Sequence, residues 1–446
     1  MVRINKWLHA GHVFFVVLAA LLLLPLCASA QNLTGSRPPT AAELTWLNAN
    51  SVLPYGAYVG NPWKTLVDNT QTIHFPPIID QGLYHSSVGI ATTYYAMTNN
   101  VANVLGRNAR DTVLFQYSPK WTYNFVNDGQ NSNAWIGNAF HLLLDHGAPT
   151  LDIWPSFDGS GTDFRVWPTT ADIWSNALAS RMKQIISVPN LDTDAGQKEA
   201  KYLLSLGYVL NVNAYVNQWH THMDRPGGSI LPIFLPPANV TGTDNYLFLG
   251  QKIIDYADSF PSSTDIGFEN INNTGLQALT IVGYADNIWI DLEIPVDGVY
   301  GKLECGAFLV ANSWGTGWGN NGLMWVSYDA LKAVSPIAGA YIAPTRVPAF
   351  YTPSVAQGPT AYLVTPRVNP SQPAYIPSFF TTFSLNSSDR SKLFATLTNT
   401  GQWPNALINA SWTPFVLSGG NGGSYNFAGT DGAGDGTFVY DFSDLA

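Results

Sequence analysis

Cysteine is nearly absent: the 446 residues hold two, Cys27 and Cys305. Cys27 lies at the end of an apolar N-terminal run, so removal of that run leaves one thiol and no intrachain disulfide. Charge is also sparse, at 11% of residues, where about 25% is usual for a soluble chain. Basic residues are the scarcer sign, with 20 Lys+Arg against 30 Asp+Glu. That balance argues against nucleic acid and anionic membranes as partners. No zinc-protease helix motif, phosphate loop or Gly-x-Ser-x-Gly elbow occurs, so no cofactor or metal is expected. The run Val13 to Leu26 is apolar but short of the roughly 20 residues that a membrane helix needs.

What is abundant points to a globular, turn-rich, exported protein. Hydrophobic residues make up 46% of the chain, enough for a sizeable core, and 29 Pro with 39 Gly imply many turns. The length suggests two domains. Arg3 and Lys6, the apolar run and Ala28-Ser29-Ala30 together form a signal peptide over residues 1–30, with cleavage after Ala30. Removing it leaves 18 Lys+Arg against 30 Asp+Glu, a net charge of −12. The expected location is secreted or extracellular, with no membrane contact after cleavage. Cys305 enters an apolar strand (Glu304-Cys305-Gly306-Ala307-Phe308) and reads as a buried, inert thiol.

Residues 31–71 form a polar N-terminal extension with one short amphipathic piece, Ala41 to Asn50. Helical spacing appears from Ser86-Ser87 to Asn99 and from Trp135 to His146, where Gly147 is the stop. Ala171 to Ile186 and Gly196 to Leu206 are further helix candidates, and Tyr208 to Tyr215 alternates like a strand. A Pro, Gly and Asn-rich insertion spans Trp219 to Gly275. Trp289 to Gly301 carries Asp291, Glu293 and Asp297, whose spacing fits a solvated hairpin better than a calcium loop. Residues 346–361 have the composition of a Pro-rich linker. Beyond it, residues 362–446 contain alternating runs (379–385, 392–397, 405–412, 424–427, 437–442) separated by Gly, Asn, Ser and Asp. This predicts a small all-β sandwich, ending close enough to its last strand to suggest truncation.

Three segments carry a family resemblance. Pro76-Pro77-Ile78-Ile79-Asp80-Gln81-Gly82-Leu83-Tyr84-His85-Ser86-Ser87 resembles the papain-like cysteine peptidase segment in which Gln, Gly and four further residues lead to the nucleophilic Cys. Gln277-Ala278-Leu279-Thr280-Ile281-Val282-Gly283-Tyr284 resembles that family's His-Ala strand, and Ala311-Asn312-Ser313-Trp314-Gly315 its Asn-Ser-Trp-Gly segment. The pattern covers about residues 72–345. It implies an α+β, two-lobed fold, a helical half and a β-barrel-like half meeting at a groove, with Ser87 on one wall and Gln277 on the other. The N-terminal extension is too short for the family's helical inhibitory propeptide, so no zymogen mechanism is implied.

The resemblance puts Ser87 in place of Cys and Gln277 in place of His. A working site needs a thiolate, an imidazole to take its proton and an Asn to orient the ring. An amide accepts no proton near neutral pH, so the expected protein is a pseudoenzyme. Gln81 matches the side-chain donor of the oxyanion hole, Asn312 the ring-orienting residue and Trp314 the aromatic shield beside the groove. His85, His74, His141, His146, His220 and His222 are the candidate substitute bases, and Asp224 could join the last two on a metal. Three readings stay open: an inactive homologue that binds peptide or another extracellular ligand, an active hydrolase using Ser87 with an unidentified base, and a structural or adhesive protein whose aromatic side chains contact glycans. Sequons at Asn32, Asn239, Asn272, Asn386 and Asn409 matter only in a host that glycosylates secreted Asn.

Overall fold

The helices begin where the local chemistry favours them. Thr40 caps Ala41–Asn50 (α1) in a reciprocal box: the Glu43 amide donates to Thr40 Oγ1 at 3.3 Å, and Glu43 Oε2 accepts the Thr40 amide at 2.7 Å. Ser118 caps Pro119–Val126 (α3), with Pro at the first helical turn. Ile136–His146 (α4) stops at Gly147, whose φ of +64° suits a residue without a Cβ. The structure is a computed structural model, and it describes residues 33–54, 64–216, 219, 253–254, 275–291, 303–332, 348–354, 356–403 and 406–445. The expected signal peptide and nearly all of the 219–275 insertion lie outside those residues, as do residues 292–302.

Between α1 and α3 runs one long buried helix (α2), made of Ser87–Gly89, an eight-residue π-wound stretch Ile90–Met97, and Thr98–Leu105. Every residue of the π-wound stretch is buried. The Ala91 carbonyl inside it accepts from Asn211 Nδ2 at 2.8 Å and from Thr280 Oγ1 at 3.1 Å. Side chains from two strands of the neighbouring sheet thus satisfy a helix carbonyl and pin the helix to the sheet.

Among the described residues the remaining α-helices are Ala171–Leu178 (α5) and Asp194–Ser205 (α6). A nine-stranded sheet fills the other half. Along its main path it runs β1 (Ser51–Val52), β3 (Met182–Val188), β9 (Ala361–Pro366), β4 (Leu210–Tyr215), β6 (Leu276–Asp291), β7 (Leu303–Ala311), β8 (Leu323–Ser327) and β5 (Ile253–Ile254). β2 (Leu66–Asp68) pairs with β6 off that path. β1–β3 and β5–β8 are parallel, and the other pairs are antiparallel. The architecture is therefore α+β, a helical part against a sheet.

Three sequence expectations are corrected. The helix expected over 171–186 ends at Leu178, and residues 182–188 form β3. The β-branched residues Ile185, Ile186 and Val188 favour a pleated strand there, and Ile185 and Val188 are fully buried. The segment expected as a free linker is tied to the body: the Ala349 amide bonds to the Ala330 carbonyl, the Tyr351 amide to the Asn213 carbonyl, and Phe350 is buried.

The C-terminal part is not a separate sandwich. Its first strand, β9, lies inside the main sheet, and the rest forms two two-stranded ribbons, β10 (Phe380–Ser387) with β13 (Gly434–Asp441) and β11 (Leu397–Trp403) with β12 (Ala406–Trp412). Residues 424–427 form bends and the start of a turn, not a strand. Phe415, Val416, Phe427, Phe438 and Tyr440 join the same buried cluster as Trp121, Trp135, Phe140 and Trp174 of the helical part. Thr34–Ala446 is consequently one compact unit. Two-stranded ribbons cannot bury their own apolar face, so they bury it against the helices.

Candidate functional site

Each wall of the candidate site is supplied by a different element. Ser87 opens α2, Gln277 is the second residue of β6, Asn312 and Ser313 follow β7, and Gln81 lies in the loop leading to α2. An isolated bridge between Asp80 and Trp314, with the Gly315 amide bonded to the Ile79 carbonyl, holds two of these loops side by side. Tyr95 of α2 fastens the same loops: its hydroxyl accepts the Ile79 amide at 3.0 Å and donates to the Asn312 carbonyl at 3.1 Å. Burial drives the Tyr95 phenol far above its usual range, so it stays a neutral donor.

At the centre is a knot of side-chain amides. Gln277 Nε2 donates to Asn312 Oδ1 at 2.8 Å, to Ser313 Oγ at 3.0 Å and to Gln81 Oε1 at 3.1 Å. Ser313 Oγ donates to Gln81 Oε1 at 2.6 Å. Gln81 directs its own Nε2 to the Tyr84 carbonyl at 2.9 Å. Ser87 Oγ accepts the Ala278 amide at 3.3 Å. No base reaches that hydroxyl among the described residues. Ser87, Gln277 and Asn312 are all fully buried.

The burial has a specific cause. Residues 34–37 run through the space between the walls. The Gly35 amide donates to Gln277 Oε1 at 3.0 Å, the Ser36 amide to the Leu276 carbonyl at 3.0 Å and the Arg37 amide to the Ala134 carbonyl at 2.9 Å. The Ala134 amide returns a bond to the Gly35 carbonyl at 3.1 Å, which makes a parallel bridge around Ser36. Ser36 Oγ donates to Asn213 Oδ1 at 3.0 Å. The polar N-terminal extension thus takes part in the site: its first four residues in the compact unit fill the cleft. Nothing in the sequence marks them, because Thr-Gly-Ser-Arg is short, polar and aperiodic.

None of the described histidines hydrogen-bonds to Ser87. The His85 ring bonds through Nδ1 to the Thr34 carbonyl, and the His74 ring to the Arg107 carbonyl at 2.9 Å. His141 pairs with Asp145 at 3.3 Å. His146 is enclosed beside Trp174 and Tyr440. His220, His222 and Asp224 lie outside the described residues, as do Asn32, Asn239 and Asn272, while Asn386 Nδ2 donates to Asp435 at 2.6 Å. Trp314 meets Trp318 edge-on, with ring centroids 5.5 Å apart. Cys305 is only half-buried. Its Sγ donates to the Asp286 carbonyl at 3.1 Å, and burial together with the nearby Asp286 and Asp329 pushes the thiol up to about 11, far from a ready thiolate.

No family model matches the chain, and no curated protein matches it. Solved structures do resemble it. Xylellain, a cysteine protease from Xylella fastidiosa, aligns at 16% identity and a TM-score of 0.43 over 74% of this chain and 95% of that one. The bromelain protease from Ananas comosus aligns at 12% identity and 0.39, over 68% and 99%. Procathepsin B from Trypanosoma congolense aligns at 12% and 0.40, over 76% and 88%.

Proposed function

We propose that this chain is an exported, papain-like protein that has lost catalysis and uses the former active-site cleft to hold an extended peptide segment. One observation carries the reading. Gln277, which the resemblance aligns with the family's base, has both ends of its amide engaged, by Asn312, Ser313 and Gln81 on one side and the Gly35 backbone on the other. A carboxamide so bound neither accepts a proton from Ser87 nor donates one to a leaving group. Loss of nucleophile or base in comparable hydrolases lowers turnover by about 10⁶-fold. The main-chain bonds from residues 35–37 to Leu276 and Ala134 support the binding half of the proposal, since they are the bonds an added β-strand makes. Export is supported by residues 1–30, and no helix among the described residues is long and apolar enough to cross a membrane.

The test is hydrolysis of an internally quenched peptide library across pH 5–8. The expected result is no turnover above a buffer blank, the same for Ser87→Ala. Turnover that disappears in Ser87→Ala establishes the serine hydrolase reading instead.

A further inference from the structure

The cleft reads the side chains of its resident segment as well as its backbone. At position 35 there is no room for a side chain: a Cβ would fall inside contact distance of the His85 carbonyl oxygen and 2.6 Å from the Ser87 amide nitrogen. Both are backbone atoms, one on the loop and one on the first turn of α2, so neither moves as a side chain end does. At position 36 the hydroxyl finds Asn213 Oδ1 at 3.0 Å on β4, and the serine is fully buried. At position 37 the guanidinium meets Glu43 two-fold, Nη1 to Oε2 at 2.8 Å and Nη2 to Oε1 at 2.6 Å.

Glu43 is itself held for this. It accepts from the Thr40 amide at 2.7 Å and from Asn138 Nδ2 of α4 at 2.8 Å. Burial opposes ionisation of its carboxyl, but the bonds from Arg37, Thr40 and Asn138 outweigh it and hold the group down at about 2. Glycine is thus selected by exclusion, serine by an amide acceptor and arginine by a preformed carboxylate. None of these three groups belongs to residues 35–37, although Glu43 sits on α1, which follows them closely in the chain.

We infer that the cleft is a sequence-selective site for extended peptides of the pattern Gly-Ser-Arg, filled here by residues 35–37 and able to take a peptide of that pattern from another chain. This rests on the reading above that the cleft holds peptide without cutting it. The resident segment competes from within the same molecule, at an effective concentration on the order of millimolar. An outside peptide therefore enters only when the resident is weakened.

The experiment uses the full-length chain with Gly35→Ala and a fluorescent peptide, Leu-Thr-Gly-Ser-Arg-Pro, read by anisotropy, with mass spectrometry confirming that the peptide stays intact. The variant is expected to bind it, and to bind a peptide with alanine in place of glycine about tenfold more weakly or worse. The unaltered chain is expected to bind neither at micromolar peptide. As a guard against misfolding of Gly35→Ala, Ser36→Ala supplies a second weakened resident that leaves position 35 untouched. Equal binding of the two peptides, or no binding by either variant, overturns the selectivity. Cleavage of a selectively bound peptide would leave the selectivity standing and overturn the non-catalytic reading alone.

Discussion

Gln277 and Gly35 are joined across 242 positions of sequence by one buried hydrogen bond, from the Gly35 amide to Gln277 Oε1 at 3.0 Å. That bond covers the Gln277 carboxamide with the main chain of residue 35. The Gln277 amide and the filled cleft are therefore parts of one arrangement: a carboxamide accepts no proton near neutral pH but is a good acceptor for the segment that covers it.

Placing a thiol and an imidazole in the cleft should accordingly give no hydrolysis in the otherwise unaltered chain. Ser87→Cys with Gln277→His puts a thiol and an imidazole into the site that holds Asn312, but residues 34–37 remain between them and the solvent. The expected outcome is no measurable peptide hydrolysis and slow alkylation of the new thiol. Adding Gly35→Ala should speed alkylation and reveal weak hydrolysis. The three changes act on one unit, so their effects will not add. Rapid hydrolysis by the double variant alone contradicts the closed cleft.

A second expectation concerns pH. His141 lies between Trp46 and Phe415, and its Nε2 is 3.3 Å from Asp145 Oδ2, which also accepts the Phe415 amide at 2.8 Å. Burial pushes Asp145 up to about 7 and His141 down to about 4. In the folded protein the pair then carries one proton on the acid, whereas the unfolded chain carries it on the imidazole at pH 5. The two states bind equal numbers of protons there, so the pair contributes little slope. Single substitutions expose opposite slopes. Asp145→Asn leaves a histidine with a depressed folded pKa, so stability should rise from pH 4 to 6.5. His141→Phe leaves an acid with a raised folded pKa, so stability should fall from pH 4 to 7. Urea midpoints across that range decide it, and parallel profiles for the two variants refute the shared proton.

Arg390 offers a stability test away from the cleft. It is 1% exposed, lies over Trp167 at 4.4 Å, and donates to the carbonyls of Gly422 at 2.7 Å and Asn426 at 3.1 Å. Burial lowers its pKa to about 9. Arg390→Met keeps the apolar stem but strands those carbonyls, so a loss of about 2–4 kcal/mol is expected. Hydrogen exchange should quicken first in residues 418–427. A change under about 0.5 kcal/mol would mean water replaces the guanidinium.

Truncation tests the merged core. If the C-terminal part were an appended domain, removing residues 367–446 would leave a folded remainder. Tyr440 instead lies against His146 and Trp174, and Phe438 against Trp174. Arg181 at the entry to β3 is paired with Asp441, and with Asp444 at 2.9 Å. The shortened chain should show lost near-ultraviolet circular dichroism and dye binding typical of an opened core. A cooperative transition at the parental midpoint would restore the two-domain view.

The sequence by itself determined the local pieces: the α1 box from Thr40 and Glu43, the stop of α4 at Gly147, and the order in which Gln81, Ser87, Gln277 and Asn312 occur along the chain. Those features depend on side chains within a few residues of each other, or on short motifs. Three things were decided only by the tertiary structure. Residues 182–188 became a strand because a partner strand, 361–366, was available to pair with them. The C-terminal strands merged with the helical part because alternation marks a strand's apolar face but not what covers it. Residues 34–37 entered the cleft through main-chain bonds and a missing Cβ, and neither leaves a hydrophobic period for a sequence to display.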